Sequence, residues 1–193
     1  KVDLSDELSE KTNIFKSYYH QQILYIGTRA GVYAYHIKLN KWRKLPSLLT
    51  STALGDINTV KANKVFALQV DEKNNLLIGS EDGVFSVNVE SIKDFIQERA
   101  ELKAYSVIFE HLSVWQFFQD KNKLYVASNK GLFQFDTIEQ QGSLLFGISD
   151  FFENISNDKI ISIAQDNSGV FWLGSSTSGA YLWDPTRENI TNF

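Results

Sequence analysis

Two neighbouring carboxyl side chains, Glu81 and Asp82, lie in a short polar stretch between two apolar runs. If they faced a cleft, such a pair could act as general acid and general base, as in glycoside hydrolysis. The same place also suits two solvated turn residues, and this interpretation is favoured because turns are polar. The sequence has no phosphate-binding glycine loop, no Gly-x-Ser-x-Gly motif and no catalytic Ser/His/Asp order. We therefore predict that the chain is not an enzyme.

Metal-binding side chains are few and scattered. The three histidines, His20, His36 and His111, have no second ligand two or four residues away, and the chain has no cysteine. The stretches that begin at Asp71 and Asp166 are similar to calcium loops, but they lack the terminal glutamate of the full ligand pattern. We predict neither a metal nor a cofactor.

The composition indicates a β-rich globular domain, since 43% of the residues are hydrophobic, 13% are aromatic and only 2 are proline. A length of 193 residues suits a single domain. The net charge of −4 and the absence of a long basic run disfavour a nucleic-acid partner. No apolar run reaches the roughly 18 residues of a membrane span. Because the chain begins at Lys1 and contains no methionine, we expect a mature or excised part of a longer protein.

A repeated unit organises the sequence. Its four copies are LYIGTRAGVYAYH (24–36), LLIGSEDGVFSVN (76–88), LYVASNKGLFQFD (124–136) and FWLGSSTSGAYLWD (171–184). The turn glycines, Gly31, Gly83, Gly131 and Gly179, are 52, 48 and 48 residues apart. This period lies in the range of propeller blades.

Each copy predicts a β-hairpin, in which a short apolar strand is followed by a polar turn, a glycine and an alternating strand. The fourth copy has one extra residue before Gly179, which predicts a longer turn. Another strand precedes each hairpin, and Asp71, Asp120 and Asp166 are placed so that a side-chain oxygen can bond the backbone of its terminal turn. His20 takes this place in the first copy.

With a fourth strand after each hairpin, the chain is predicted to be all-β, a β-propeller of four four-stranded antiparallel blades. The predicted single domain or part of one covers 1–193, with blades at about 12–48, 62–107, 112–153 and 157–193. Sheets of this kind bury both faces by stacking radially. The segment from Glu90 interrupts the β pattern and predicts a short helix.

Packing explains most of the aromatic side chains. The small residues Ala67, Ser162 and Ala164 suit the strand nearest the propeller axis. The wider space between blades suits bulky side chains. We expect these to be Tyr33, Phe85, Phe133 and Tyr181, and we expect Trp172 and Trp183 to pack as well.

The fourth copy with its flanks, NDKIISIAQDNSGVFWLGSSTSGAYLWDPTRENITNF (157–193), closely resembles the repeat of two-component regulator propellers. The landmarks are Asp166 and Gly169 at the first turn, the aromatic-apolar-Gly-Ser run at 172–175, and Asp184-Pro185. The second and third copies match with fewer landmarks, and the first keeps LYIGT and its turn glycine. The resemblance covers essentially the whole chain.

Two-component regulator propellers are found as extracytoplasmic sensor parts of bacterial membrane-bound histidine kinases, hybrid two-component proteins and some diguanylate cyclases. The resemblance thus implies a periplasmic input domain that binds a ligand or partner and passes a signal to a cytoplasmic kinase or cyclase. The implied partners are the remaining blades and the transducer domains of the same receptor. The type of output domain stays open.

The blade number departs from the family, whose propellers usually have seven blades. Four blades can close on themselves, but a fragment of a larger propeller is favoured. An open stack would bury its outer faces by self-association. Two residue changes, Ala127 in place of a hairpin glycine and Trp172 in place of Tyr25, Leu77 and Tyr125, are expected as packing changes.

A ligand is expected at the end of the propeller axis where turns and connections gather. Their mixed charge suits a polar small ligand such as a glycan. The candidate binding residues are Arg29, Glu81, Asp82, Asn129, Lys130, Asn157 and Asp158. Two alternatives stay open: a structural or protein-interaction propeller without a small ligand, and a carbohydrate-active or lyase-like propeller enzyme.

Overall fold

The computed structural model describes residues 13–49, 61–62, 64–102, 105–147, 159–187 and 189–192. Four four-stranded antiparallel sheets account for most of these residues, and in each sheet the strands follow one another in chain order. Each sheet matches one copy of the sequence repeat. The predicted all-β architecture of four propeller blades is confirmed.

The chain forms two compact units, Lys1–His111 and Leu112–Phe193. The first sheet of the first unit has the strands β1 (Ile14–His20), β2 (Ile23–Thr28), β3 (Gly31–His36) and β4 (Lys41–Lys44). A short ladder follows, made of β5 (Leu48–Leu49) and β6 (Lys61–Ala62). The second sheet has β7 (Val65–Val70), β8 (Asn75–Ser80), β9 (Gly83–Asn88) and β10 (Ser106–Glu110), with helix α1 (Val89–Ile96) between β9 and β10.

The second unit holds the other two sheets. The third sheet has β11 (Val114–Asp120), β12 (Lys123–Ser128), β13 (Gly131–Asp136) and β14 (Gln141–Gly147). The fourth has β15 (Ile160–Gln165), β16 (Phe171–Ser175), β17 (Ala180–Asp184) and β18 (Asn189–Asn192). The division of the chain into one domain with the blade bounds given above stays a prediction.

In each unit one sheet packs face to face on the next. In the first unit, Tyr25 and Val32 of the first sheet share a core with Leu76 and Phe85 of the second. In the second unit, Tyr125 of the third sheet packs against Phe171 of the fourth, with ring centroids 4.8 Å apart. Each aromatic side chain buried in this way removes a large apolar area from water, so these two interfaces supply most of the hydrophobic stabilisation.

Helix α1 forms as predicted. Asn88 caps it, since its side chain accepts a hydrogen bond from the Glu90 N–H at 3.0 Å. Its buried residues, Val89, Ile92 and Ile96, recur at helical spacing and join the core of the first unit. The helix, which follows β9 and precedes β10 along the chain, therefore forms part of this core.

The packing expectation is wrong for three residues of the fourth sheet. Trp183 is buried as expected, but Trp172 is 44% exposed, and Ser162 and Ala164 of β15 are also exposed. The reason is register: Ser162, Ala164 and Trp172 alternate with the residues that face the third sheet, so they lie on the opposite side of the fourth sheet. Ala67, in contrast, is buried in the second sheet.

The turn that closes each predicted hairpin contains two residues in the first three sheets and four residues, 176–179, in the fourth. The longer fourth turn is thus confirmed. Gly31, Gly131 and Gly179 have φ of +111°, +117° and +81°. These values are rare for residues with a Cβ and explain why glycine closes the turn.

The turn that precedes the hairpin has two forms. Oδ1 of Asp71 accepts the N–H of Lys73 at 3.0 Å and of Asn75 at 2.8 Å, as predicted. The same expectation is wrong for Asp120, whose side chain makes no such bond in the described part of the chain. There the turn is only two residues long, because Asp120 pairs directly with Lys123 in the ladder. His20, paired with Ile23 across a two-residue turn, follows this second form.

A buried hydroxyl holds the hairpin turn in the first three sheets. Ser128 Oγ donates to the Gly131 carbonyl at 2.8 Å and accepts the Lys130 N–H at 3.1 Å. Thr28 and Ser80 make the same pair of bonds in their own turns, and all three side chains are fully buried. The serine or threonine that directly follows the small residue of the hairpin (Gly27, Gly79 or Ala127) is therefore a structural part of the repeat.

We predict that Ser128→Ala lowers the free energy of unfolding by about 1 to 3 kcal/mol, because it leaves buried backbone groups without a hydrogen-bond partner. The matched control is Ser128→Thr, since the first sheet has threonine at this position. Urea denaturation of both variants measures the effect. An alanine variant within about 0.5 kcal/mol of the wild type would contradict this role.

Candidate functional site

Five of the seven predicted ligand residues lie in hairpin turns, and these turns are attached to the start of their own sheets. The five are Arg29, Glu81, Asp82, Asn129 and Lys130. The first turn residue donates its backbone N–H to the residue before the first strand in every sheet, at 2.9 to 3.1 Å. The four pairs are Arg29 with Asn13, Glu81 with Lys64, Asn129 with Ser113, and Ser176 with Lys159. These turns are thus held by backbone bonds whatever their side chains are.

The side chains of three predicted ligand residues, Glu81, Asp82 and Asn129, also bond to residues at the start or end of their own sheets. Glu81 Oε2 lies 2.7 Å from Lys64 Nζ. Asp82 Oδ1 lies 3.4 Å from His111 Nδ1, and the His111 N–H donates to the Asp82 carbonyl at 2.9 Å. Asn129 Oδ1 accepts the Ser113 N–H at 2.9 Å. Glu81 and Asn129 thus bond to the residue before the first strand of their sheet, and Asp82 bonds to the residue that follows β10.

In the acidic pair, the Glu81 carboxylate therefore faces Lys64 and the Asp82 carboxylate faces His111. Arg29 and Lys130 are exposed at the turns of their sheets. Asn157 and Asp158 lie outside the described residues. A role of these seven residues in ligand binding stays a prediction.

A cleft of about 720 Å³ lies elsewhere, in the first unit between β4 and the C-terminal end of α1. Its volume falls in the usual range of small-molecule sites. Three cationic groups, two carboxylates and one aromatic ring line it. The residues are Arg43, Lys44, Phe95, Glu98, Arg99, Ala100 and Glu101.

Glu98 shapes this cleft from a strained backbone. Its φ is +61°, in the position after the helix end where glycine is usual, and the left-handed conformation costs about 1 kcal/mol. The Glu98 carboxylate forms ion pairs with Arg43 and, at 3.1 Å, with Lys41 Nζ. The helix end is thereby tied to the outermost strand of the first sheet.

Two cations of the cleft remain exposed to an incoming group. The Arg99 side chain is 70% exposed, and its nearest carboxylate, Asp94, is 3.9 Å away. Lys44 Nζ lies 5.7 Å from the centroid of the Tyr33 ring, a cation–π distance that leaves the ammonium partly hydrated. The ring of Phe95, which is partly buried against the core, also lines the cleft, so the cleft suits a ligand with an anionic group and an apolar face.

A second cleft of about 380 Å³ also lies in the first unit, and its lining carries one carboxylate, Glu101, among mostly uncharged side chains. Nearby, burial raises the pKa of the Tyr25 hydroxyl, and the Glu90 carboxylate adds to this. Burial likewise raises the pKa of Tyr105, whose hydroxyl donates to the Pro46 carbonyl at 2.9 Å. Both phenols therefore stay protonated at neutral pH and cannot act as bases.

The described residues contain no group of three or more His, Asp or Glu side chains that could hold a metal ion. Within the same ranges, no helix has the length and the apolar character of a membrane span.

The sequence of the fourth sheet and of the segment before it can be compared with known families. The family model described as two component regulator propeller matches residues 154–177. The fourth copy is a two component regulator propeller repeat. The family predicted from the sequence is thereby confirmed. No curated protein matches the chain.

Solved structures share the fold of this chain. The extracellular domain of BT4673 from B. thetaiotaomicron, a proposed hybrid two component system, superposes with a TM-score of 0.70 over 96% of the chain at 16% identity. The extracellular domain of BT3049 from the same organism, also a proposed hybrid two component system, gives 0.63 over 98% at 16% identity. The computationally designed protein Ika8 gives 0.56 over 93% at 13% identity.

The chain spans only 22 and 25% of the length of the BT4673 and BT3049 domains, and 48% of Ika8. At these identities the comparison establishes the fold of this chain alone. It carries no ligand from those proteins to this one.

Three carboxylates of the third and fourth sheets are held in their ionised form by hydrogen bonds. The Ser168 hydroxyl donates to Asp166 Oδ1 at 2.6 Å and, with the N–H groups of Ser168, Trp172 and Val170, lowers the pKa of Asp166. Asp184 accepts from the Thr186 hydroxyl and N–H, and these bonds lower its pKa in the same way. The pKa of Asp136 is lowered by hydrogen bonds from the backbone N–H groups of Glu139 and Ile138.

Sequence reasoning missed that one position recurs in all four repeats. His36, Asn88, Asp136 and Asp184 end the third strand, and each accepts a backbone N–H two or three residues further on. The aligned copies end in His, Asn, Asp and Asp, so a comparison of their last letters shows this turn cap.

We predict that Asp166→Asn reduces the acid sensitivity of the fold. A lowered pKa in the folded state stabilises the protein above the unfolded value of about 3.9, and this contribution is lost as the pH falls through the folded value. Between about pH 5 and pH 2, the urea midpoint of the variant should therefore fall less than that of the wild type. Glu72→Gln, which removes an exposed carboxyl, is the control, and identical acid profiles for wild type and Asp166→Asn would refute the prediction.

Proposed function

We propose that this chain is part of the extracytoplasmic, periplasmic sensory domain of a bacterial signal-transduction receptor. The observation that carries this proposal is the two component regulator propeller repeat at 154–177. The shared fold with extracellular domains of two proposed hybrid two component systems supports it. In this role the chain binds a ligand or partner and passes the signal to a cytoplasmic kinase or cyclase that belongs to the same receptor.

A sensory rather than a catalytic function fits the geometry of the described residues. The carboxylates of Glu81 and Asp82 are bonded to Lys64 and His111 and so take part in holding the second sheet. The cleft at the end of α1 offers binding groups instead: Lys44 and Arg99 for an anionic group, and Phe95 for an apolar face.

The ligand class that fits this cleft is a polar molecule with a carboxylate or sulfate, such as an acidic oligosaccharide. A sugar ring presents an apolar C–H face that can lie on Phe95, while its acidic group contacts the guanidinium of Arg99. Ion pairing with Glu98 fixes the Arg43 side chain beside this place, so less side-chain entropy is lost on binding.

We predict that carboxylated or sulfated oligosaccharides raise the melting temperature of the 193-residue chain, whereas neutral oligosaccharides of equal length do not. A ligand at about 100 times its Kd that binds only the native state adds about 2.7 kcal/mol. Lys44→Gln combined with Arg99→Gln should abolish the shift. A thermal-shift titration at two salt concentrations measures it, because the ionic part of the binding is screened by salt.

The matched variants Arg29→Gln and Lys130→Gln decide between the cleft and the hairpin turns. They also remove an exposed cation each, but at the turns that the sequence singled out. If these variants lose the ligand-induced rise in melting temperature and the Lys44→Gln, Arg99→Gln variant keeps it, the ligand binds at the turns and not in the cleft. Absence of a shift with every acidic and neutral oligosaccharide would favour a propeller without a small ligand.

We further predict that the ligand found in this way changes the output of the complete natural polypeptide. The assay compares phosphoryl transfer and cyclic dinucleotide synthesis in membranes with and without the ligand, for the wild type and for Lys44→Gln with Arg99→Gln. A change of output in the wild type alone is the expected result. Binding with no change in either activity would contradict a sensory role and indicate a binding scaffold.

A further inference from the structure

The two clefts of the first unit adjoin each other, because Glu101 lines both of them. The larger cleft, of about 720 Å³, is lined by the cations Arg43, Lys44 and Arg99. Among the described residues that line the smaller cleft, of about 380 Å³, Glu101 is the one charged residue, and the others are asparagine, serine, valine and leucine. The combined surface therefore changes from a part that carries cations to an uncharged part, with a carboxylate at the junction.

Short polar side chains of the second sheet form one wall of the smaller cleft. Ser86 of β9 pairs with Ser106 of β10, and Asn88 of β9 pairs with Asn75 of β8. Because Ser86 and Asn88 are two residues apart on one strand, all four side chains lie on the same side of the sheet. Hydroxyl and amide groups can both donate and accept hydrogen bonds. This wall therefore suits a ligand unit with several hydroxyl groups and no charge.

The loop that carries Glu101 is anchored on both sides of this residue. Ile96, at the end of α1, is fully buried in the core of the first unit, and Leu102 packs against the same core. Between them, the carboxylate of Glu98 forms an ion pair with Arg43 of β4. Glu101 is itself exposed, but its backbone position is fixed by these contacts. A side chain placed in this way can distinguish between ligands at little cost in loop ordering.

A carboxylate at the junction of the clefts acts differently on a neutral and on an acidic ligand unit. It accepts hydrogen bonds from the hydroxyl groups of a neutral unit, and such charge-assisted bonds are stronger than bonds between neutral groups. It repels a second anionic group, and two like charges a few ångströms apart near a protein surface weaken binding by roughly tenfold. The position of Glu101 therefore favours a ligand whose negative charge is confined to one end.

We propose that the two clefts form one combined site for an oligosaccharide with a single acidic end. The acidic unit contacts Lys44 and Arg99 in the larger cleft, and the neutral unit next to it lies against Ser86 and Ser106 in the smaller cleft. Glu101 is the specificity-determining residue, because its carboxylate rejects a ligand whose second unit is also acidic. This inference rests on the proposed function, since it takes an acidic ligand of the larger cleft as given.

Isothermal titration calorimetry of the 193-residue chain tests the role of Glu101 with three probes. These are glucuronic acid, a mixed disaccharide of glucuronic acid and glucose, and a diuronate of two glucuronic acids. The wild type should bind the mixed disaccharide roughly tenfold more tightly than the diuronate. Glu101→Gln should bring this ratio to about one, because glutamine keeps the shape of the side chain without its charge. Glu72→Gln, which removes an exposed carboxyl outside both clefts, is the matched control.

A second comparison tests the smaller cleft. The wild type should bind glucuronic acid alone roughly tenfold more weakly than the mixed disaccharide, because the contacts of the neutral unit are missing. Ser86→Ala combined with Ser106→Ala should remove most of this difference, whereas Ser17→Ala, at an exposed serine of β1, should keep it. Because Glu101 is exposed, the Glu101→Gln comparison stays decisive even if the serine variant is less stable.

The outcomes separate this inference from the proposed function. Equal Kd values for glucuronic acid and the mixed disaccharide, or a ratio between the two disaccharides that Glu101→Gln does not change, would overturn the combined site. If Lys44→Gln with Arg99→Gln still abolishes binding in that case, the acidic ligand of the larger cleft stands. Absence of binding for all three probes would overturn both the combined site and the acidic ligand class.

Discussion

The structure depends on the need of each four-stranded sheet to cover its apolar faces. A single antiparallel sheet with bulky side chains on both sides cannot be stable in water, and here each interface between sheets is closed by an aromatic residue of the central strands. Tyr25 in the first unit and Tyr125 in the second lie at the centres of these interfaces. The repeat period follows from this constraint, since each copy must supply one covering side and one covered side. In the fourth sheet, Trp172 is 44% exposed on the side that does not face the third sheet.

The polar side chains of the hairpin turns take part in the hydrogen bonds that hold the repeat together. Loops also carry binding and catalytic groups on many folds. In this chain the N–H of the first turn residue, a buried hydroxyl before it and a residue at the start of the sheet form one connected set of hydrogen bonds. Glu81 and Asn129 add side-chain bonds to that set. Residues of this type are therefore placed by the demand that buried backbone groups be satisfied.

The cleft of the first unit arises where the repeat is interrupted. An insertion between the third and fourth strands of the second sheet forms α1, and the end of that helix brings Glu98 to the cations of β4. The unfavourable backbone conformation of Glu98 is retained together with its ion pairs, a combination that often accompanies sites where geometry matters more than stability. This departure from the repeat gives the first unit the cleft lined by Arg43, Lys44 and Arg99.

The sequence by itself determined the fold class, the number of repeats, the hairpins and the helix, because these depend on local signals: glycine at positive φ, alternation with a period of two, and apolar spacing along α1. It also contained the turn cap shared by His36, Asn88, Asp136 and Asp184. Only the tertiary structure decided which polar groups are engaged, since the partners of Glu81 and Asp82 are 17 and 29 residues away. Likewise, only the tertiary structure placed Arg99 beside Lys44 and left Trp172 exposed, because burial depends on the neighbouring sheet and not on the residue's own strand.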